Sequence, residues 1–217
     1  MRVIGMMGNG PIDSIPELRP FIDEVDLWIG VDRGALTLIE HEVTVSYAIG
    51  DFDSMDSKQR KIVKDRSIYY QAYPVEKNET DLEIALQKAL DLTPQKIYMF
   101  GVTGGRLDHA LINMQLLHTV IDQNIRGIIV DRWNQLELTK PGTHSVSHSK
   151  KYPYISFVPF MKRVKNLSLS NFYYPLEGYD LSLGSTRCIS NKLINKNGTF
   201  SYDEGMLLLI KSRDINA

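Results

Sequence analysis

Short apolar runs alternate with helical patterns through the first 133 residues, and this alternation constrains the fold more than any other feature. The runs are nearly continuous in hydrophobicity, as expected for strands that are buried on both faces of a parallel sheet. Six of them are predicted to be strands: Val3–Met7, Leu27–Val31, Val45–Ile49, Ile68–Tyr73, Ile97–Val102 and Ile128–Val130. Strands that alternate with helices predict a doubly wound, Rossmann-like α/β layer with a mostly parallel sheet.

Two of the segments between these strands carry apolar residues at helical spacing, which predicts amphipathic helices. The two apolar stripes are Leu82, Ala85, Leu86, Ala89 and Leu90, and then Leu107, Ala110, Leu111, Met114 and Ile121.

The pattern changes after about Asn134, where no convincing helix follows. Turn signals at Pro141-Gly142, Glu177-Gly178 and Asn197-Gly198 separate short, strand-like segments. These segments are Leu136–Leu138, Tyr154–Phe160, Val164–Leu169, Ile189–Ile194 and Met206–Ile210. The sequence therefore predicts an α/β domain over residues 1–134 and an antiparallel β-sandwich domain over residues 135–217.

The composition excludes several classes of protein. Hydrophobic residues make up 43% of the 217 residues and charged residues 24%, which is typical of a globular chain. A formal net charge of -1 argues against a nucleic-acid or anionic-membrane surface, and no apolar run approaches the roughly 18 residues of a membrane span. The single cysteine, Cys188, excludes an intramolecular disulfide and is typical of a reducing compartment. We expect a cytoplasmic protein without nucleic-acid or membrane partners.

Three acids in the stretch AIGDFDSMD follow the third predicted strand. Side chains two apart on an extended segment point the same way, so Asp51 and Asp53 would project together. Two neighbouring carboxylates require a shared proton or a cation, and ligands bind beyond the carboxyl ends of strands in open α/β sheets. The alternative is structural, because Ser54 or Asp53 could cap a helix that begins near Asp56.

A second polar cluster lies in the stretch EKNETDLE. Thr80 and Glu83 fit a capping box, with Thr80 as the N-cap and Glu83 reaching back. Asp81 would then lie in the first turn, where the helix dipole favours a carboxylate. For Asp81 this structural interpretation and a functional one are equally supported, and Lys77 is compatible with both.

A glycine-rich turn, GVTGGRLDH, joins the fifth strand to the next helix. Backbone N–H groups at a helix N-terminus suit a phosphate, and Arg106 adds a planar fork of donors. The turn is neither a Walker loop nor a G-x-G-x-x-G pattern. Tight turns also use glycine, Asp108 is favourable near a helix start, and a lone His109 is more often structural than catalytic.

Similar turns follow other strands of the predicted sheet. Gly8-Asn9-Gly10-Pro11 follows the first strand and Asp32-Arg33-Gly34 follows the second. The carboxyl ends of parallel strands meet at one edge of a sheet. This concentration of acids, glycines and basic groups on one edge favours a nucleotide and metal site over scattered helix caps.

In their order along the chain, these motifs resemble the thiamine pyrophosphokinase family. The matching segments are Asp32-Arg33-Gly34, Gly50-Asp51-Phe52-Asp53-Ser54, Lys77 with Thr80-Asp81-Leu82-Glu83, Gly104-Gly105-Arg106-Leu107-Asp108-His109, Tyr174-Pro175-Leu176, Leu183-Gly184-Ser185-Thr186 and Ile189-Ser190-Asn191. The resemblance implies transfer of a diphosphoryl group from ATP to the hydroxyl of thiamine, which gives thiamine diphosphate and AMP.

The resemblance also implies roles for individual residues. Mg²⁺ on the ATP phosphates would be held by Asp51, Asp53 and Asp81, and Lys77 and Arg106 would stabilise developing charge. The nucleotide site would comprise Asp32, Arg33, Gly34, Ser54, Thr80, Thr103, Gly104, Arg106, Asp108 and His109. Family members are homodimers with composite active sites, so thiamine would lie between the α/β domain of one subunit and Thr186, Ser190 and Asn191 of the other.

Two other functions fit parts of the sequence. A Mg²⁺-dependent phosphohydrolase also uses D-x-D after a strand, although it would place the acids after the first strand and leave the second half without a role. A nucleotide sensor without catalysis would tolerate the loss of Asp51 or Asp81. The group that accepts the hydroxyl proton stays open between Asp53, Asp81 and a metal-bound water.

Overall fold

The computed structural model describes residues 2–215. Contacts within the chain divide it into two compact units, Met1–Arg132 and Trp133–Ala217. In the described part of the chain, no helix is both long enough and apolar enough to span a bilayer.

The first unit is built on six parallel strands. They are β1 (Val3–Met7), β2 (Leu27–Val31), β3 (Val45–Gly50), β4 (Ser67–Ala72), β5 (Lys96–Phe100) and β6 (Arg126–Val130). Their order in the sheet is β4-β3-β2-β1-β5-β6, and each neighbouring pair is parallel. The connections change direction between β1 and β5, which is where open α/β sheets form a binding crevice. The predicted parallel α/β layer is confirmed.

The helices of this unit follow the strands. A 3-10 turn (Ile12–Ser14) precedes five α-helices: α1 (Arg19–Ile22), α2 (Arg33–Glu40), α3 (Ser57–Arg66), α4 (Asp81–Asp91) and α5 (Leu107–Asp122). Helix α4 buries its predicted stripe. On α5 the predicted apolar stripe is not the buried face. The buried residues are Ala110, Asn113, Leu117 and Val120, so the buried face is rotated by about one residue from the predicted one. Leu107 and Leu111 are exposed instead.

Two helix caps also differ from the predictions. Thr80 caps α4 and accepts a hydrogen bond from Glu83 N at 3.2 Å, but the Glu83 side chain is exposed, so only half of the predicted capping box forms. Helix α3 is capped by neither Ser54 nor Asp53. Asp56 is its N-cap, in a complete box with Gln59. This box fixes the start of the helix one residue after Asp56.

Residues 133–215 of the second unit contain seven antiparallel strands in two sheets. The strands are β7 (Asn134–Thr139), β8 (Gly142–Ser147), β9 (Tyr154–Pro159), β10 (Arg163–Ser170), β11 (Leu176–Ser182), β12 (Asn197–Tyr202) and β13 (Leu207–Ser212). Strand β13 pairs with β7 and β9, and the other four strands form a sheet in the order β11-β10-β12-β8. Side chains from both sheets, such as Phe157, Leu167 and Phe200, share one core. The predicted sandwich is therefore confirmed.

Several local predictions in this unit are wrong. Residues 189–194 are not a strand, since only the isolated bridges Ile155↔Asn191 and Phe172↔Leu193 involve them. Asn197-Gly198 opens β12, and Gly178 lies inside β11 with a φ of 59°. Strands β8 and β11 escaped prediction because each buries few apolar side chains and is largely polar.

Candidate active site

Three carboxylates meet at the carboxyl edge of the first unit's sheet. Asp32 follows β2, Asp51 follows β3 and Asp81 is the first residue of α4. One oxygen atom of each lies within 4.8 Å of an oxygen of the other two. Carboxylate oxygens at this spacing suit a hard divalent cation such as Mg²⁺.

Lys77 neutralises part of this negative charge. Its Nζ lies 3.0 Å from Asp81 Oδ1 and 3.6 Å from Asp51 Oδ2, and it donates a hydrogen bond to the carbonyl of Pro74 at 3.0 Å. Burial opposes a charge on Lys77, but contact with Asp81 and the charges of Asp51 and Asp32 outweigh it, so the pKa of the amine is raised. One fixed cation therefore faces three carboxylates.

Asp32 has a raised pKa and a strained backbone. Burial, and then repulsion from Asp81 and Asp51, raises the pKa of Asp32 to about 6, although Phe52 N donates a hydrogen bond to Oδ1 at 3.3 Å. The backbone is strained as well, with a φ of 48° and a ψ of -125°. Such an arrangement costs free energy and is typical of functional sites.

We expect Asp32→Asn to stabilise the metal-free protein. A carboxylic acid whose pKa is raised from 3.8 to about 6 contributes stability below 3.8 and loses it as the pH rises through 6. In chelator at pH 8, the variant should have a free energy of unfolding about 2 kcal/mol above the wild type. Urea denaturation should show this difference shrinking between pH 6 and pH 4. The exposed Asp53→Asn is the control, and equal stabilities of Asp32→Asn and wild type at pH 8 would contradict the account.

One atom of the cluster fits a cation particularly well. Asp81 Oδ1 is buried, and the ammonium of Lys77 lies 3.0 Å from it. A buried carboxylate is costly unless positive charge lies against it. A divalent cation held by Asp32, Asp51 and Asp81 would add a second positive charge at this atom.

The expectation that Asp51 and Asp53 project together is wrong. Phe52 has a φ of 57°, is buried and stacks on Tyr70 with 4.6 Å between ring centroids, so the segment turns instead of running extended. Asp53 N donates to Asp51 Oδ1 at 3.0 Å, while the Asp53 side chain is exposed outside the cluster. That Asp53 is a metal ligand stays a prediction. The third carboxylate of the cluster is that of Asp32.

Two glycine turns lie against each other beside the carboxylates. Gly8 N donates to the carbonyl of Phe100 at 2.8 Å, and Gly10 N donates to the carbonyl of Gly101 at 2.7 Å. A Cβ on Gly8 would lie 2.7 Å from the Gly101 carbonyl oxygen, so this approach requires glycine. Residues of both turns line the crevice.

Two of the three carboxylates, Asp32 and Asp81, and both glycine turns line a cavity of about 700 Å³. Its lining is Gly8, Asn9, Gly10, Pro11, Val31, Asp32, Thr80, Asp81, Leu82, Gly101, Val102, Thr103, Gly105, Arg106, His109 and Asn113. The predicted nucleotide residues Asp32, Thr80, Thr103, Arg106 and His109 are thus brought together. Arg33, Ser54, Gly104 and Asp108 are exposed outside the lining, and Gly34 is buried in the first turn of α2, against the main chain of Met7.

Arg106 is oriented by a neighbour. Asp108 accepts two hydrogen bonds from the guanidinium of Arg106, at 3.1 Å and 2.5 Å. These bonds, with a backbone bond from His109, lower the pKa of Asp108 to about 2. Asp108 therefore stays charged and holds the exposed guanidinium at the rim of the cavity.

Sequence reasoning missed two residues that support the cavity. Asp131 is buried after β6 and accepts a hydrogen bond from Thr103 Oγ1 at 2.8 Å. Asn113 donates through Nδ2 to the carbonyl of Val102 at 2.8 Å. The sequence could have indicated both residues. Asp131 is an acid directly after an apolar strand, and Asn113 lies one helical turn beyond His109.

In the second unit, the three residues expected near thiamine differ in environment. Thr186 and Ser190 are exposed, and Ser190 has a φ of 57°. Asn191 is only 3% exposed, and its side chain is bonded to the backbone of Tyr174. The structure brings Ser190 and Asn191 into one segment, but only the first presents its side chain to solvent.

The chain is similar to known proteins over most of its length. The family model for the thiamin pyrophosphokinase catalytic domain matches residues 18–129, and that for the thiamin pyrophosphokinase vitamin B1 binding domain matches residues 143–207. Thiamine pyrophosphokinase of Bacillus subtilis is 41% identical over 214 residues, which is 99% of this chain and all of that protein.

Solved structures extend the similarity to three dimensions. The crystal structure of thiamine pyrophosphokinase from Bacillus subtilis superposes with a TM-score of 0.92 at 40% identity, over 99% of this chain and 100% of that one. The structure from Geobacillus thermodenitrificans gives a TM-score of 0.86 at 43% identity, over 98% of each chain. Identity and coverage at this level show that the chain belongs to the thiamin pyrophosphokinase family.

Proposed function

We propose that the protein is a thiamine diphosphokinase that transfers a diphosphoryl group from ATP to thiamine. The observation that carries this proposal is a cluster of three carboxylates, two of which line the same cavity as two glycine turns. Such a cavity offers carboxylates to the cation of a polyphosphate and glycine turns that let a phosphate approach the main chain closely. The family and its named relatives add the substrate class.

The reaction requires one bond to form and one to break. The hydroxyl oxygen of thiamine attacks the β-phosphorus of ATP, the bond from that phosphorus to the oxygen bridging the α-phosphorus breaks, and AMP leaves. The hydroxyl proton is released, and the products are thiamine diphosphate and AMP. Positioning and charge neutralisation dominate catalysis of phosphoryl transfer.

The residues of the cavity divide these tasks. Asp32, Asp51 and Asp81 would hold Mg²⁺, which when bound neutralises phosphate charge and orients the phosphates. Lys77, fixed between two of these carboxylates, supplies a permanent positive charge beside them. Arg106 provides a guanidinium fork at the rim, where it can bind phosphate oxygens. Thr103, Asn113 and Asp131 keep the glycine turn in place.

A product analysis tests the proposal. The protein is incubated with ATP, Mg²⁺ and thiamine, and the products are separated. Thiamine diphosphate and AMP in equal amounts support it. Inorganic phosphate without thiamine diphosphate would favour the phosphohydrolase, and unchanged ATP would favour a nucleotide sensor. Of the clustered acids, Asp32 follows β2, Asp51 follows β3 and Asp81 begins α4, so none follows β1, which weighs against the phosphohydrolase.

We infer that the enzyme acts in the cytoplasm as a homodimer whose active sites are shared between subunits. The resemblance supplies the composite site, and the lone, buried Cys188 is consistent with a reducing compartment. Because the metal ligands lie in one unit and Ser190 in the other, mutations in the two units can be tested in trans.

A subunit-mixing experiment is expected to restore activity. An inactive Asp51→Asn variant is mixed with an inactive Ser190→Ala/Asn191→Ala variant, and subunits are exchanged. About half of the dimers become mixed, and each mixed dimer holds one site with both defects and one with neither. Roughly a quarter of wild-type sites should therefore return. If no activity returns although differently tagged subunits prove exchange, then each active site is built from both units of the same subunit, and the shared site is wrong.

A further inference from the structure

Asn113 is a buried polar residue on the wall of the active-site cavity. It lies in the second turn of α5, is only 8% exposed and is among the residues that line the cavity. A buried side-chain amide is costly unless its donors and acceptors find partners. Its Nδ2 donates a hydrogen bond to the carbonyl of Val102 at 2.8 Å. This bond leaves Oδ1 and the second hydrogen of Nδ2 for other partners.

The bond to Val102 fixes the orientation of the amide. A carbonyl oxygen only accepts hydrogen bonds, so Nδ2 and not Oδ1 must face Val102. Among residues 2–215, none donates a hydrogen bond to Oδ1 of Asn113, and protein atoms do not enclose this oxygen. Because Asn113 is almost fully buried and yet lines the cavity, its Oδ1 is an acceptor that a molecule bound there can use.

The same cavity has apolar walls. Pro11, Val31, Leu82 and Val102 line it, and all of these except Pro11 are buried. Pockets that combine apolar walls with a small number of fixed polar groups are typical of sites for small organic ligands. A flat heteroaromatic ring suits such walls, and the fixed amide of Asn113 would distinguish one ring from another by its hydrogen-bonding groups.

Asn113 is separated from the metal-binding carboxylates along the edge of the sheet. Asp32 follows β2, whereas Val102, which holds Asn113, follows β5. In the sheet order β2-β1-β5 these two strands are two strand spacings apart, which is about 10 Å. An extended nucleotide has a comparable distance between its base and its β-phosphate. A nucleotide whose phosphates lie at the carboxylates can therefore place its base at Asn113.

We propose that Asn113 selects adenine at the nucleotide site, with an amide whose orientation Val102 fixes. The 6-amino group of adenine donates to Oδ1, and a neighbouring ring nitrogen accepts the second hydrogen of Nδ2. Asparagine recognises adenine through the same two groups in protein–DNA complexes. A purine with an oxygen at position 6 would set that oxygen against Oδ1, and the amide could not turn over without losing its bond to Val102. The inference rests on the proposed function and assigns a residue of its ATP site.

The first test compares ATP with two analogues that differ at position 6 of the base. Inosine triphosphate carries an oxygen there, and purine riboside triphosphate carries only hydrogen. Dissociation constants are measured by calorimetry with Mg²⁺ and without thiamine, so that no diphosphoryl group is transferred. The wild type should bind ATP about 5- to 150-fold more tightly than inosine triphosphate, with purine riboside triphosphate between them. Equal affinities for ATP and inosine triphosphate would overturn the proposal.

The second test removes the amide. Asn113→Leu also loses the bond to Val102, so both nucleotides should bind more weakly, and the measured quantity is the ratio of their dissociation constants. This ratio should fall to within about threefold of one. Thr103→Val is the matched control, because it removes the bond from Thr103 to Asp131 in the same turn and leaves Asn113 in place. It should weaken both nucleotides equally and keep the wild-type ratio. A wild-type ratio in Asn113→Leu would mean that Asn113 only supports the turn.

The outcomes separate this inference from the function on which it rests. If Asn113→Leu does not fold, the nucleotide series on the wild type still decides, because it requires no variant. If the wild type prefers ATP but forms no thiamine diphosphate, the proposed function fails and the selection of adenine stands. If the wild type forms thiamine diphosphate but binds ATP and inosine triphosphate equally, only this inference fails. A wild type that binds neither nucleotide would overturn both.

Discussion

Asp81→Asn is expected to lower kcat by about a hundredfold or more while leaving the fold intact. Asp81 contributes its buried Oδ1 atom to the cluster that includes Asp32 and Asp51. An amide keeps the size of the side chain but is a weaker ligand for a hard cation and carries no charge. Asp51→Asn removes a second carboxylate of the cluster and should have a comparable effect.

The mechanism of the loss can be read from its Mg²⁺ dependence. If Asp81 is a ligand, the variant should need a higher Mg²⁺ concentration for half-maximal activity, and circular dichroism should show an unchanged fold. Glu83→Gln is the matched control, since it removes one negative charge from the same first turn of α4 on an exposed side chain. Near-wild-type turnover of Asp81→Asn at saturating Mg²⁺ would mean that Asp81 is not a metal ligand. Its role would then be to interact with the dipole of α4 from the first turn of that helix.

Continuous apolar runs made the sheet predictable. A strand such as β1 or β3 is buried on both faces, so hydrophobicity alone locates it to within a residue or two. In the sandwich, β8 and β11 face solvent on one side and carry few apolar residues, which is why they escaped prediction. Residues 189–194 were predicted to be a strand but are not one. Two isolated bridges and the buried Asn191 hold this segment in place, and it forms no continuous strand pairing.

The site was predictable in location but not in its geometry. Parallel strand ends bring Asp32 and Asp51 to one edge whatever the local backbone does. Which acids then meet depends on dihedral angles that sequence patterns do not report. The backbone of Phe52 has a φ of 57°, and its ring is buried against Tyr70. Because of this backbone conformation, the side chain of Asp53 points outward. The bonds that occupy Asn191 likewise arise from a contact with Tyr174, distant in sequence.

Gly50→Ala is expected to damage both stability and activity. Gly50 ends β3 with a φ of 154°, and a Cβ there would lie 1.9 Å from Asp32 Oδ1. The Asp32 carboxylate would have to leave its place beside Asp51 and Asp81. We expect a loss of about 3 kcal/mol in the free energy of unfolding, from backbone strain and the clash together. Activity should fall about a hundredfold, with a raised requirement for Mg²⁺.

Gly184→Ala isolates the backbone contribution to this effect. Gly184 has a φ of 82°, but nothing lies within 4 Å of a Cβ built on it, so the variant suffers strain without a clash. Its stability should fall by only about 1 kcal/mol. The remaining loss in Gly50→Ala should shrink when Asp32 is also changed to alanine, because the colliding carboxylate is then gone. If urea denaturation shows equal losses for the two glycine variants, the Asp32 carboxylate moves aside at no cost. The tight placement of the three carboxylates would then not depend on the absence of a side chain at Gly50.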